Sequence, residues 1–247
     1  MATPGRLTHP PIQEALVDLR IASTTTIDAG VLEPLKQEFR SRYPKSEPKQ
    51  RMEARIEQQV GRAPTVQARV GFHGLFLKSE DDSRIVQFRT DGFTLNQVAG
   101  YTTADDLFTE ALALWRAYTH VVRPAATIRV ALRYINKLLL PFRHGDHFER
   151  FLTAPVAMPA EAPQHVADFL TRAVVVDGST EATAVVAQRL EPATEKLTPF
   201  TLDIDVFKIG EFSVDPGSLE PLLQRMRELK NRLFFALLTN EALEPYR

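Results

Sequence analysis

Apolar and polar residues alternate along much of this chain, and this pattern predicts many β-strands. In segment 14–21 the apolar residues occupy every second position, so one face of a strand there is fully apolar. The same period predicts a long strand over 128–140. The other predicted strands cover 52–59, 66–72, 74–78, 85–89, 93–98, 167–176, 182–190 and 200–206.

Other segments carry apolar residues at helical spacing. A short helix is predicted around Leu32, Leu35 and Phe39, and a long helix over 104–121 is predicted to be capped by Thr103. A final helix is predicted from Ser218, with a wide apolar face that suits either an inner helix or a dimer interface. A short helix is also expected near 146–152.

This order of elements predicts an α+β fold, with an antiparallel sheet and helices packed mainly on one of its faces. Halves 10–123 and 124–247 each read strand, short helix, antiparallel meander and long helix. We therefore expect two similar halves, a pseudo-repeat, within a single compact unit spanning 1–247. The other face of the sheet is expected to be left for solvent, a partner or a ligand.

Composition narrows the class of protein. The chain has 247 residues, of which 44% are hydrophobic and 25% charged, as in globular proteins. Its net charge of -1 gives no global basic signature for nucleic acid, and no apolar run is long enough to suggest a membrane span. The absence of cysteine excludes disulfides and thiol chemistry, and the start lacks a signal-peptide pattern. The expected location is the cytoplasm.

The predicted strand 128–140 is the most informative segment, because it carries charged and amide side chains among apolar ones. One face would carry Ile128, Val130, Leu132, Tyr134 and Asn136. Arg129 and Arg133 would share the opposite face, where they could hold an anion or take part in ion pairs.

A second charged strand is predicted over 200–206, with Asp203 and Asp205 on the same face. Carboxylates two residues apart on a strand lie about 7 Å apart. They could bind a divalent metal, act as acid and base, or pair with Arg129 and Arg133 if the strands are neighbours. The candidate ligand-binding residues are Arg20, Arg129, Arg133, Asn136, Asp203 and Asp205.

No complete catalytic or cofactor motif accompanies these residues. The chain lacks the glycine-rich dinucleotide pattern, the phosphate loop and the nucleophile elbow, so we assign no cofactor and no catalytic residue. The run His144-Gly145-Asp146-His147 favours a capped polar loop over a metal site, because Gly145 disfavours the helix that would bring both histidines together. We assign no metal.

Several short segments together resemble a sporadically distributed prokaryotic family of uncharacterised proteins with a central Arg-Tyr-Ile-Asn motif. The matching segments are 10–15, 71–72, 79–81, 86–89, 132–136, 202–205 and 234–239. The resemblance implies a protein encoded by an accessory gene, a class that includes mobile-element and defence genes. It directs attention to Glu14, Arg133, Tyr134, Asn136, Asp203 and Asp205, and it supplies no reaction.

The leading hypothesis is a binding or interaction protein whose helix-free sheet face recognises an anionic ligand or a protein partner. That face would bear Asp18, Arg20, Arg89, Arg129, Arg133, Asp203 and Asp205. The alternative is a metal-dependent enzyme acting on a phosphorylated or nucleic-acid substrate, with the arginines on phosphate and the aspartates on the metal. Homodimerisation and the identity of the ligand stay open.

Overall fold

The computed structural model describes residues 1–22, 26–57, 65–142, 147–164, 166–191 and 197–247, and within them it shows one antiparallel sheet of nine strands. The strands are β1 (Ile12–Ala22), β2 (Lys45–Glu57), β3 (Thr65–Lys78), β4 (Arg84–Arg89), β5 (Gly92–Gln97), β6 (Ala126–Leu140), β7 (Phe169–Asp177), β8 (Ala182–Leu190) and β9 (Thr198–Phe212). The helices are α1 (Ala29–Phe39), α2 (Ala104–Val122), α3 (Pro216–Leu237) and α4 (Asn240–Leu243). The prediction of an α+β fold with an antiparallel sheet is confirmed.

Strands β1 and β6 lie side by side at the centre of the sheet, whose order is β2-β3-β4-β5-β1-β6-β9-β8-β7. Their register places Val17 opposite Leu132 and Asp18 opposite Ala131. Beyond β1 the strands come from the first half of the chain, and beyond β6 they come from the second half. The two edges of the sheet are therefore β2 and β7.

Helices α1, α2 and α3 contact the same face of the sheet. Phe39 of α1 and Tyr118 of α2 each lie 6.0 Å, between ring centroids, from Phe88 of β4. Lys230 of α3 lies over the ring of Tyr134 in β6. The strand register puts Phe88 and Tyr134 on one face, so the main core is a layer between the sheet and these helices.

The largest core side chains are aromatic, and their polar atoms have partners. Trp115 and Tyr118 of α2 are fully buried. The indole Nε1 of Trp115 donates to the carbonyl of Val214 at 2.8 Å, and the hydroxyl of Tyr118 donates to the carbonyl of Arg89 at 2.7 Å. These bonds remove the cost of burying a donor, so the rings contribute both packing and orientation of α2 on the sheet.

Capping side chains define where the long helices begin. Thr103 caps α2 as predicted, because its hydroxyl accepts from the amide of Asp106 at 3.1 Å. Helix α3 begins at Pro216, two residues earlier than the Ser218 start expected from the sequence. The carboxylate of Asp215 accepts from the amide of Ser218 at 3.0 Å, and Pro216 suits a first turn because its missing N–H would be unpaired there.

Local irregularities account for the other departures from expectation. A bulge between Thr127 and Arg129 breaks the strict alternation of β6. Thr127 is therefore fully buried, whereas Ile128, predicted on the core face, is 40% exposed. The strands predicted at 66–72 and 74–78 form the single strand β3, and the predicted short helix near 146–152 is one 3-10 turn, Phe148–Arg150.

None of the described helices combines the length and the hydropathy that a lipid bilayer requires of a spanning segment.

Candidate functional site

Asp18 of β1 is the centre of an ion-pair network on the helix-free face of the sheet. Its Oδ2 accepts from Nη2 of Arg89 and from Oγ1 of Thr94, both at 2.8 Å, and its Oδ1 accepts from Nη1 of Arg129 at 2.7 Å. Nε of Arg20 lies 3.6 Å from the same carboxylate. Asp18 and Arg89 are each only 8% exposed, so water has little access to their charged groups. Each instead supplies polar contacts to the other.

We include in this network a further ion pair on the same face, between β6 and β9, although it shares no side chain with the pairs of Asp18. Arg133 donates to both carboxylate oxygens of Asp203, at 2.8 and 2.5 Å, in a bidentate pair. Asp205 receives only a longer bond, 3.4 Å, from Nη2 of Arg129. Burial is the main cause that raises the pKa of Asp205, and the charges of Arg129 and Arg133 act against it.

The structure brings together five of the six candidate ligand-binding residues. Arg20, Arg129, Arg133, Asp203 and Asp205 all belong to the network. Asn136 does not, because it lies on the helix-covered face, where it is 1% exposed. Its Nδ2 donates to the carbonyl of Leu202 at 3.0 Å.

The network is neutral as a whole. Its ion pairs join the guanidinium groups of Arg20, Arg89, Arg129 and Arg133 to the carboxylates of Asp18, Asp91, Asp203 and Asp205. An anion placed here would therefore meet as many carboxylates as guanidinium groups. The geometry favours a structural role for these charges over capture of an anion.

A metal site finds little geometric support. Among the described residues, no group of three or more histidine, aspartate or glutamate side chains is arranged to hold a metal ion. Asp203 is already engaged by Arg133, and Asp205 by Arg129. Residues 144–146, predicted as a polar loop, lie outside the described residues.

On the helix-covered face, a cavity of about 410 Å³ lies beside Asn136. Its walls come from residues 5–12, from the start of α2 and from the second half of α3. The cationic side chains in its lining are Arg6, Arg227 and Lys230, whereas Asp105 supplies the carboxylate. Arg227 donates to that carboxylate at 3.0 Å, so the remaining charge of the lining is positive.

Lys230 is the most unusual residue of this cavity. It is 8% exposed, and no hydrogen bond or ion pair to its Nζ occurs within the described part of the chain. Its ammonium lies 4.1 Å from the ring centroid of Tyr134, a cation–π contact. Burial, together with the charge of Arg227, lowers the pKa of Lys230 from 10.5 to about 7.

Two tyrosines lie next to this lysine, and of these Tyr101 lines the cavity. The hydroxyls of Tyr101 and Tyr134 lie 3.2 Å apart and share a hydrogen bond. Burial raises the pKa of both phenols above the usual value near 10, so both stay neutral at physiological pH. The cavity thus combines a desolvated amine, the neutral hydroxyl of Tyr101 and a guanidinium, which suits a small polar ligand carrying negative charge.

The sequence interpretation missed this cavity, although one signal was present. One face of α3 carries four apolar residues and Lys230, which lies among them. The apolar residues are Leu219, Leu223, Met226 and Phe234. Lys230 therefore interrupts the buried stripe, which is unusual for a lysine. The contributions of Arg6 and Tyr101 have no such signal, because they come from distant parts of the chain.

Comparison with known proteins adds no functional assignment. No protein-family model matches this chain, and no curated protein matches its sequence. Function is therefore inferred from the geometry and chemistry of the sites themselves.

We predict that Asp18→Asn lowers the free energy of unfolding by about 3 kcal/mol, because it leaves Arg89 and Arg129 without their carboxylate partner. Urea unfolding followed by circular dichroism measures the change. The control is Asp82→Asn, which removes the exposed pair with Lys45 and should cost less than about 1 kcal/mol. Equal losses for the two variants would contradict a structural network centred on Asp18.

We predict that Lys230→Met stabilises the protein by about 1–4 kcal/mol at pH 6, because it removes a buried charge and keeps the side-chain volume. The gain should shrink as the pH rises from about 7 to about 10.4, the pKa of an unfolded lysine, because the unfolded wild-type chain binds more protons than the folded one throughout that window.

Urea unfolding of both proteins between pH 6 and pH 10 measures this difference. The matched control is Lys137→Met, since Lys137 is exposed on β6 and its replacement should give no such trend. A gain that does not vary with pH would show that Lys230 is not held in its unprotonated form by the fold.

Proposed function

We propose that the protein binds a small anionic ligand in the cavity beside Asn136. The observation that carries this proposal is Lys230, a buried cationic side chain at the cavity wall with no carboxylate partner among the described residues. Burying such a group without a counter-charge costs stability, and costs of this kind concentrate at functional sites. A bound anion would supply the missing counter-charge.

The rest of the lining supports an anion of modest size. Arg227 and Arg6 add positive charge, and Arg227 can offer two parallel N–H donors to a carboxylate or phosphate. Phe234 and Phe235 add apolar wall, and the volume of about 410 Å³ falls within the range of small-molecule sites. The ligand class that fits is a small organic carboxylate or phosphate.

The anion site proposed here lies on the helix-covered face, and not on the charged sheet face that the sequence suggested. On the charged face, each arginine of the network already contacts an aspartate. The metal-dependent enzyme has less support for the same reason, since Asp203 and Asp205 are engaged by Arg133 and Arg129. Of the candidate residues, Asn136 is the one that lines the cavity.

A second candidate function is self-association through β7, and one specific observation favours it. On this edge strand Leu170, Val174 and Val176 are 70%, 53% and 72% exposed, although they are apolar and share one face. An exposed apolar edge is a template for pairing with another chain. The opposite edge, β2, carries Lys45, Glu47, Pro48 and Lys49, and such residues discourage pairing.

The occupant that we propose for this edge is a second copy of the chain. Antiparallel pairing of two β7 strands about a two-fold axis at Ala173 would set Leu170 of each copy opposite Val176 of the other. Such pairing continues the same sheet face from one copy to the next, because residues opposite each other in a ladder share a face. It would bury apolar residues that are exposed in the single chain.

Three broader predictions stay proposals: the pseudo-repeat, the single unit, and family membership with its accessory or defence role. The pseudo-repeat is supported by the strand order, in which β1 and β6 are central and the last strand of each half, β5 or β9, lies next to them. A single unit is supported by a hydrophobic core cluster that includes residues from Ala2 to Leu243. Family membership and an accessory or defence role rest on the sequence resemblance alone.

We predict that small anions raise the melting temperature of the protein in a saturable way, because they bind the folded state. The probes are inorganic phosphate, sulfate, malonate and citrate at constant ionic strength, measured by differential scanning fluorimetry. Binding should tighten as the pH falls from 8 to 6, since Lys230 becomes protonated across this range.

Arg227→Gln should weaken this stabilisation at least tenfold in apparent affinity. The matched control is Arg225→Gln on the exposed side of the same helix, which should leave the affinity unchanged. No saturable effect of any probe on the folded wild-type protein would refute the anion site. An equal loss in both variants would point to nonspecific surface binding.

We predict that the wild-type chain is a concentration-dependent dimer in sedimentation experiments and that Val174→Lys makes it monomeric, because a lysine there opposes strand pairing. Val70→Lys, at another exposed apolar position, should leave the dimer intact. A wild-type chain that stays monomeric at every concentration would exclude this interface.

A further inference from the structure

Lys230 has two properties that an ion-pairing lysine does not need. It is buried against the ring of Tyr134, and the charge that acts on its pKa is that of another cation, Arg227, three residues earlier on α3. A site built only to hold an anion would gain from a lysine that stays fully protonated. Here the surroundings favour the neutral amine instead, and a neutral amine is a nucleophile.

The groups around Lys230 are consistent with that chemistry. Arg227 and Arg6 carry positive charge, the carboxylate of Asp105 is bonded to Arg227, and Tyr101 and Tyr134 are neutral phenols. No described carboxylate pairs with Nζ and restores its proton. The aromatic face of Tyr134, 4.1 Å from Nζ, can stabilise a cation at this position.

We propose that Lys230 forms a Schiff base with a small aldehyde or ketone that also carries a carboxylate or phosphate group. This inference rests on the proposed anion site and names its ligand class. Arg227 and Arg6 would hold the anionic group, and the carbonyl carbon would lie against Nζ inside the cavity.

The chemical step balances without an oxidant or a reductant. The lone pair of Nζ attacks the carbonyl carbon, a C–N bond forms, and the π electrons of the carbonyl move to its oxygen. Proton transfer from nitrogen to oxygen gives a carbinolamine. A further proton, taken from solvent, lets the hydroxyl leave as water while the nitrogen lone pair forms the C=N bond. The product is a protonated iminium, a cation placed where the ammonium of Lys230 contacts Tyr134.

Reactivity should be specific to this lysine. At pH 7 a lysine with a pKa near 7 is about half neutral, whereas one with the ordinary pKa near 10.4 is neutral in fewer than about one molecule in 10³. The exposed lysines of the chain, such as Lys45 and Lys137, provide an internal comparison within one sample.

The test is reductive trapping of the full-length protein with pyruvate and sodium cyanoborohydride at pH 7, followed by intact mass measurement and peptide mapping. We expect one adduct per chain, on Lys230, formed at least tenfold faster than on any exposed lysine. Lys230→Met should abolish it and Lys137→Met should not. Acetone, which lacks the anionic group, should label Lys230 at least tenfold more slowly than pyruvate.

The outcomes separate the two proposals. If lactate and phosphate stabilise the protein but pyruvate leaves Lys230 unlabelled, the anion site stands and the Schiff base is refuted. If pyruvate and acetone label Lys230 equally and no anion stabilises the protein, the amine is reactive but the ligand is not an anion, and the inference fails in its stated form. Labelling spread over exposed lysines, with none on Lys230, overturns it outright.

Discussion

The pairing of β1 with β6 is the constraint on which the rest of the structure depends. It joins the two halves of the chain into one sheet, and its register decides which side chains meet the helices. A shift of one residue would move the apolar row of β1 to the open face and bring Asp18 under the helices. Because Asp18 bonds to Arg89 and Arg129 in the observed register, the charged network opposes that shift together with the apolar core.

Buried charges have different surroundings on the two faces of this sheet. On the open face, each arginine of the network contacts an aspartate, and such satisfied pairs specify geometry more than they add stability. On the covered face, Lys230 has no such partner in the part of the chain that the structure describes, and its burial destabilises the fold. A fold that can neutralise buried charge on one side and leaves it uncompensated on the other is difficult to explain by stability alone.

The sequence allowed the sheet and its charged face to be predicted because both depend on local alternation. The side chains of Arg129, Arg133, Asp203 and Asp205 could be placed on one face from the period of two residues alone. Their pairing could only be a conditional prediction, since it required β6 and β9 to be neighbours, and strand order is not a local property. A strict period of two residues also cannot predict the bulge that exposes Ile128.

The cavity was harder to predict because its lining joins residues that are far apart in the chain, from Arg6 through Tyr101 to Lys230. Asn136 shows the limit most clearly. Alternation placed it correctly on the face of Tyr134, yet it was grouped with the arginines because all of them are polar. Polarity alone does not identify a binding residue. What distinguishes the arginines from Lys230 is whether neighbouring side chains supply partners for their charges. By that criterion the paired arginines belong to the architecture, whereas Lys230, which has no ionic partner among the described residues, is where we propose that a ligand binds.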